Sequence, residues 1–329
     1  MFGNATRMVQ TEPGVIVGPI SRVLGFVLDF IFNIFYMVSP SVAFGISIIF
    51  FTIVIKLLLL PLGIKMHKST LAMRKLQPQI QKINDKYGST KDPDKVREKN
   101  VEIQKIYSEN KANPLGGCLP ALIQMPIFIT LFNMFQRPYL YITKIGDIYR
   151  EIGTYLVSLP EFFGIMESNP SLWIHRLPRN MVLDIRNQPD LLRLFNVYDK
   201  ADWNNLFGFL PGTANIEKLT ELISHKDVLE HFMTISLVTP SSLTSISVII
   251  PILAGVTTYL SSRITMQQQA QAGSSDQQKM TQNMMMYGMP IMMAFITLSA
   301  PAGVGLYWIV SNLFTFCQSL VLNKMIKAE

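Results

Sequence analysis

Residues 42–63 form a run of twenty-two positions containing a single charged side chain, Lys56. Coiled as an α-helix, the run rises ~33 Å, enough to cross the ~30 Å hydrocarbon layer of a bilayer. Four further runs, 117–136, 243–262, 283–299 and 302–322, carry no charged residue. In lipid, such segments must satisfy their backbone polar groups internally, which a helix does and an open strand does not. The pattern predicts an all-α membrane protein, a bundle of five transmembrane helices. Composition agrees: 49% of the 329 residues are hydrophobic and 16% are charged, against about a quarter charged in ordinary soluble domains. These values exclude a disordered chain and weigh against a soluble enzyme of this size. Pro120, Pro126, Pro251 and Pro290 lie in the spans. Short, proline-broken spans thin the bilayer locally or turn polar backbone toward a cavity.

The net charge of +7 is unevenly spread. Residues 65–111 hold twelve Lys/Arg against six Asp/Glu, whereas 137–240 hold ten against twelve. Basic segments between spans stay on the cytoplasmic side. The expected plan therefore has a cytoplasmic helical hairpin at 64–112 and an extracytoplasmic insertion at 137–242. A cytoplasmic loop at 263–282 and a cytoplasmic tail at 323–329 follow. With five spans, the N-terminal segment 1–18 lies outside and the C-terminus inside, in a multi-pass cell-membrane protein. The hairpin arms are expected over 65–87 and 93–110, joined at Gly88 and Asp92-Pro93. The hairpin reads either as a solvated topology signal or as a docking surface for lipid headgroups or ribosomal RNA. These roles are compatible. The insertion reads as a small cap with several helices, including 215–224 and 226–233.

Residues 19–38 are apolar, yet Arg22, Gly25, Asp29 and Asn33 recur at spacings of three and four. That spacing draws a thin polar stripe along one helix face, as in an amphipathic helix lying in the membrane interface. The rival reading, an uncleaved signal-like span, lacks a basic leading region.

Lys56 is the residue of greatest interest. It lies in the inner half of its span, ~9 Å from the inner end at 1.5 Å per residue. A lysine at the centre of a membrane helix costs ~2.5–3.5 kcal/mol and by default marks a functional site. Alternatively, its ammonium snorkels to the headgroups along its apolar stem. Gly45, Thr52 and Gly63 share its helix face, company that suits a wet cavity better than lipid. The last span offers Tyr307, Ser311, Thr315 and Gln318 on one face, with Trp308 and Asn312 beside it; the second offers Gln124 and Asn133. Taken singly, each could be an interhelical hydrogen bond; together they suggest a polar pocket around Lys56. Six methionines between Met284 and Met293 suit ordinary packing or an adaptable slide for varied apolar segments. The two cysteines and four histidines show no disulfide framework and no metal-ligand spacing, and neither metal nor cofactor is expected.

The run from Asn113, Pro114, Gly116 and Gly117 through Pro120 to Gln124 and Pro126 resembles the signature of the YidC membrane protein insertases. Leu76-Gln77-Pro78 in the hairpin resembles a second family feature. Pro301-Ala302-Gly303 with Leu306-Tyr307-Trp308 and Ser311-Asn312 resembles a third. The resemblance implies a five-helix bundle with a hydrophilic groove open to the cytoplasm and to lipid, preceded by an interfacial helix. It also implies a non-enzymatic insertase and chaperone. Hydrophilic tails of nascent membrane proteins would enter the groove, and their hydrophobic segments would pass into the bilayer. The groove residues implied are Lys56, Thr52, Gln124, Tyr307, Trp308, Ser311 and Asn312. At the Lys56 position the family commonly has Arg, and Lys keeps the charge but loses the planar fork.

The partners implied are nascent membrane proteins and membrane lipids, with the Sec translocon, the ribosome and the signal recognition particle pathway beyond them. Direct DNA binding is not expected. The large periplasmic domain of Gram-negative members is missing, which the resemblance associates with a bacterium of one membrane. The competing function is a secondary transporter or channel with an intramembrane lysine site. No internal repeat supports it. A membrane hydrolase would need a nucleophile and base, and no span carries Asp, Glu or His.

Overall fold

The structure is a computed structural model that describes residues 17–88, 92–110, 119–176, 184–267, 280 and 283–328. Among the described residues its regular structure is helical, apart from one hairpin of two-residue strands and an isolated bridge between Pro240 and Pro301. Among the described residues four helices are long and apolar enough to cross a membrane: Gly18–Val38, Pro40–Leu58, Ile246–Thr265 and Ala302–Met325, with Met284–Ser299 a shorter apolar helix. The chain forms two compact units, one of residues 1–48 and 130–239, the other of 49–129 and 240–329.

In the first unit, α1 (Val17–Val38) and the start of α2 (Pro40–Leu58) join the insertion. Two residues of the polar stripe of α1, Gly25 and Asp29, form a docking seam. Gly25 lies under Tyr141, whose Cδ1 would be 2.9 Å from an added Cβ. The Asp29 carboxylate accepts from the Thr143 backbone N–H at 2.8 Å and from its hydroxyl at 3.0 Å. Thr143 opens helix α6 (Thr143–Ser158), whose own N-cap residue, Ile142, has no capping side chain. Asp29 therefore supplies from another helix the acceptor that an N-cap Asp normally supplies locally. On an adjacent face α1 bares Val23, Phe26, Phe30, Ile34 and Met37.

The insertion is built on α6 and a set of shorter helices: α7 (Phe162–Ser168), α8 (Gln188–Val197), α9 (Lys200–Phe209) and α10 (Ile216–Glu230). Asp199 and Asp202 form a reciprocal capping box on α9. The rings of Phe195, Tyr198 and Trp203 meet edge-on or tilted, with centroids 5.0–5.9 Å apart. The two helices expected at 215–224 and 226–233 are one, Ile216–Glu230, capped by Asn215. It gives way to strands β1 (His231–Phe232) and β2 (Ile235–Ser236). Inside this unit Lys226 and Glu230 are buried, 5% and 2% exposed. Lys226 Nζ lies 2.9 Å from both Glu230 and Asp227, and the Tyr149 hydroxyl donates to Glu230 at 2.5 Å. Each buried charge thus has a partner, as its desolvation demands.

The second unit holds the remaining spans and the basic hairpin. The hairpin helix α3 (Leu60–Tyr87) follows α2 across a single non-helical residue, Leu59. Pro61, lacking an N–H, interrupts the ladder there. The backbone bonds Leu59 N to Ile55 O and Gly63 N to Leu59 O carry the direction on, at 3.0 and 2.9 Å. The expected hairpin arm thus begins at the membrane helix itself. Helix α4 (Pro93–Glu109) starts at Asp92, whose side chain accepts from Asp94 N. It buries no residue, so its apolar positions Val96 and Val101 are exposed. Lys86 and Tyr87 reach Glu102 across the pair at 2.6 and 2.9 Å.

Next come α5 (Leu119–Gln136), which crosses between the two units, then α11 (Ile249–Gln267), a π-helical turn (Met284–Gly288), α12 (Met289–Ser299) and α13 (Ala302–Ala328). Small residues let these helices approach closely. A Cβ on Gly255 would be 3.3 Å from the Pro290 carbonyl oxygen, and Gly305 lies against Ile250. Hydroxyls inside the helices bond the carbonyl four residues back: Thr257 to Leu253 and Thr297 to Met293 at 2.7 Å, Thr258 to Ala254 at 2.6 Å. This satisfies them without a water partner.

Candidate functional site

The second unit brings most of the expected groove residues onto α13, on two distinct faces. The first runs along α2, α3 and α5. The Gln124 amide donates to the Tyr307 hydroxyl at 2.8 Å. Lys56 Nζ donates to Thr315 Oγ1 at 3.4 Å, and Thr315 donates its own proton to the Ser311 carbonyl at 2.9 Å. Further along, an added Cβ on Gly63 would be 2.6 Å from Gln318 Nε2, and His67 hydrogen-bonds Asn323. The periodicity accounts for this: positions 307, 311, 315 and 318 recur about once per turn, so all lie on one face of α13.

Burial grades this face. Tyr307 at 1%, Ser311 at 5% and Thr52 at 0% exposure are buried. Lys56, Thr315 and Gln318 are half-buried. Thr52 lies one turn before Lys56 on the same side of α2. Among the described residues no acidic side chain pairs with Lys56, and α2, α5, α11, α12 and α13 contain no Asp or Glu. The Lys56 ammonium thus has one neutral acceptor in Thr315 for its three N–H groups.

The second face carries Trp308 and Asn312, which the structure does not bring to Lys56. Trp308 Nε1 donates to Thr258 Oγ1 at 2.9 Å, and its ring meets Phe128 edge-on at 5.6 Å. The Asn312 amide reaches the same Thr258 hydroxyl at 2.9 Å, and with its oxygen turned inward it accepts from Trp308 and Thr258 instead. Either orientation ties α13 to α11. The acceptor pair Thr257-Thr258 escaped the sequence reading. Two adjacent threonines in an otherwise apolar run were its available signal.

Of the motif residues, Asn113, Pro114, Gly116 and Gly117 lie outside the described residues, while Pro120 and Pro126 fall in α5. The N-terminal segment 1–16 and most of the loop 263–282 also lie outside the described residues.

Comparison with known proteins gives the same direction. Residues 34–329 match the model of the family described as 60Kd inner membrane protein. The chain is 28% identical to "Membrane protein insertase YidC 1" of Bacillus anthracis over 99% of this chain and 88% of that one. It is 26% identical to "Membrane protein insertase YidC" of Oceanobacillus iheyensis, covering 87% and 77% respectively. Over 93 residues, 28% of this chain and 43% of the other, identity to the Fusobacterium nucleatum insertase of that name reaches 48%. A helical membrane bundle and a match over residues 34–329 lead to one conclusion: the chain belongs to the 60Kd inner membrane protein family, that of the YidC insertases.

Proposed function

We propose that this chain is a membrane protein insertase and chaperone that works without a chemical reaction. Its family supports the reading, and one observation carries the mechanism. Lys56, a cation inside an apolar helix, has Thr315 as its neutral partner and no carboxylate in the surrounding spans.

The polar tail of an incoming membrane protein enters beside Lys56, Thr315 and Gln318, with the buried Thr52, Tyr307 and Ser311 behind them. An acidic residue in that tail is drawn to the ammonium. Two opposite unit charges at 4 Å attract with ~4 kcal/mol at an effective dielectric of 20, against ~1 kcal/mol in water. That attraction offsets part of the cost of bringing polar groups into the membrane. The attached hydrophobic segment then transfers into lipid, driven by the gain from burying apolar surface, and the tail is released on the far side. Trp308 and Asn312 hold α11 against α13 and so keep the wall of the groove in place.

In this reading the basic hairpin lies in the cytoplasm, the N-terminus outside and the C-terminus inside. Helix α1 lies in the interface, its apolar face toward lipid and its seam under the insertion. The hairpin's net charge of +6 over 65–111 makes it the surface for anionic partners: headgroups, ribosomal RNA, and the ribosome and signal recognition particle that bring the chain. The same groove serves substrates delivered directly or through the Sec translocon.

A photo-crosslinker at Thr315 tests this in the presence of a stalled nascent membrane protein. The expected product joins the probe to the substrate's polar tail, while a probe at Phe26, 75% exposed on α1, yields none. Equal crosslinking from both positions would contradict the groove.

A further inference from the structure

The charge pattern of the insertion breaks sharply at one residue. All twenty-two charged side chains of 137–240 lie at or before Glu230, and from Phe232 to Ser262 there is none. The regular helix in that stretch begins at Ile249, after a short 3-10 turn over Ile246–Val248. Residues 232–245 are therefore as free of charge as a membrane span, without being one. Leu237 and Val238 in this stretch are buried, but Met233 is 74% and Leu243 72% exposed.

The hairpin at the start of this stretch has an unusual tip. Phe232 pairs with Ile235, leaving Met233 and Thr234 as a two-residue turn. Met233 has φ +56°, the one non-glycine residue with positive φ among the described residues. Turns of this kind favour glycine at such a position, or a short polar residue that tolerates it. Here a long apolar side chain takes the strained position and points away from the protein, an arrangement without benefit in water.

The hairpin's depth explains it. The Phe232 ring lies directly against Gly45, where any Cβ would collide with it. Gly45 is five residues into α2 from Pro40, ~7.5 Å along a membrane-spanning helix. The hairpin thus lies beside the span, inside its Pro40 end, and Met233 at the tip is the next residue after Phe232. An open two-stranded edge is not tolerated at the bilayer centre, where backbone groups find no partner, so the hairpin belongs at the boundary of headgroups and acyl chains.

We propose that the hairpin His231–Ser236 is a lipid-contacting finger that inserts Met233 among the acyl chains of the leaflet at the Pro40 end of α2. The insertion is then anchored in the membrane at a second point besides α1. Lipid is the occupant because the contact is continuous with a membrane helix and is free of charge over its whole length.

The test uses full-length protein carrying Cys118→Ser and Cys317→Ser, with a bimane on Met233→Cys, in vesicles of phosphatidylcholine with or without acyl-chain bromination. The expected result is blue-shifted emission, loss of most of the fluorescence in brominated lipid, and indifference to aqueous iodide. Bimane on Gly212→Cys, an exposed position with no atom within 4 Å of an added Cβ, behaves in the opposite way. Iodide quenching at Met233 equal to that at Gly212 would overturn the proposal. So would blue-shifted emission untouched by brominated lipid, which would place Met233 against protein. Thr234→Cys, on the same turn, gives an independent reading if the first variant does not fold. None of these readouts depends on insertion activity.

Discussion

Lys56 and Thr315 are joined in a one-directional relay: the ammonium donates to the threonine hydroxyl at 3.4 Å, and that hydroxyl donates onward to the Ser311 carbonyl at 2.9 Å. Because its proton is committed to the backbone, Thr315 can present only a lone pair to Lys56. It orients the cation without neutralising it. A carboxylate at the same place would consume the charge that the proposed function needs.

Thr315→Val keeps the shape and removes that lone pair. A hydrogen bond to a charged group contributes ~1.5–3 kcal/mol, and the half-buried setting places this one at the low end. The expected effect is a loss of ~10-fold in the insertion rate of substrates with acidic tails. Thr315→Ser should restore most of it. Reconstituted insertion assays on the three proteins check the ranking.

The Asp29–Thr143 contact predicts a different phenotype. Asp29→Ala removes the acceptor at the first turn of α6, a change that costs ~0.5–2 kcal/mol when a cap is lost. Limited proteolysis should cut the insertion faster in this variant, while the spans remain protected. Unchanged cleavage would show that α1 does not hold the insertion through this residue.

Buried charges give the insertion a pH signature. Burial acts against the Lys226 ammonium, but Glu230 and Asp227 beside it more than offset this, so its pKa is raised above 10.5. Burial, followed by the charge of Glu230, pushes the Tyr149 phenol well above 10.0. Both groups hold their proton more tightly folded than unfolded. Their stabilisation is complete below the unfolded pKa values, near 10, and is lost as pH rises through the folded ones. Thermal unfolding of the insertion should thus be flat with respect to these groups through neutral pH and fall on the alkaline side. Lys226→Met, which leaves Glu230 buried without its cation, should cost ~3–5 kcal/mol at pH 7.

The all-helical, apolar character was legible because long charge-free runs have few other uses, and the turn before α4 because Gly88, Asp92 and Pro93 mark it by chemistry that acts locally. Gly88 has φ +56° and Asp92 caps α4. The polar face of α13 was equally legible, since a four-residue spacing fixes a shared direction. What the face would meet was not. Nothing near Trp308 and Asn312 in sequence indicates that they turn to Thr258, fifty or more residues away. The stripe on α1 was read from its spacing, yet its partner Thr143 lies 114 residues further on. Nothing in the local sequence marks Lys226, Glu230 and Tyr149 as a buried, paired group. Local rules give elements and faces; pairings between distant faces come from the packing.

The central claim is that the Lys56 charge receives acidic tails. It is tested most directly by measuring insertion into proteoliposomes of two substrates that differ only in carrying an acidic or a neutral polar tail. With Lys56→Ala, insertion of the acidic-tailed substrate should fall ~10-fold or more, equivalent to ~1.4 kcal/mol. The neutral-tailed substrate should insert nearly as before, and Lys56→Arg should support both. Equal insertion of the two substrates by Lys56→Ala, whether both are retained or both are lost, would contradict the account.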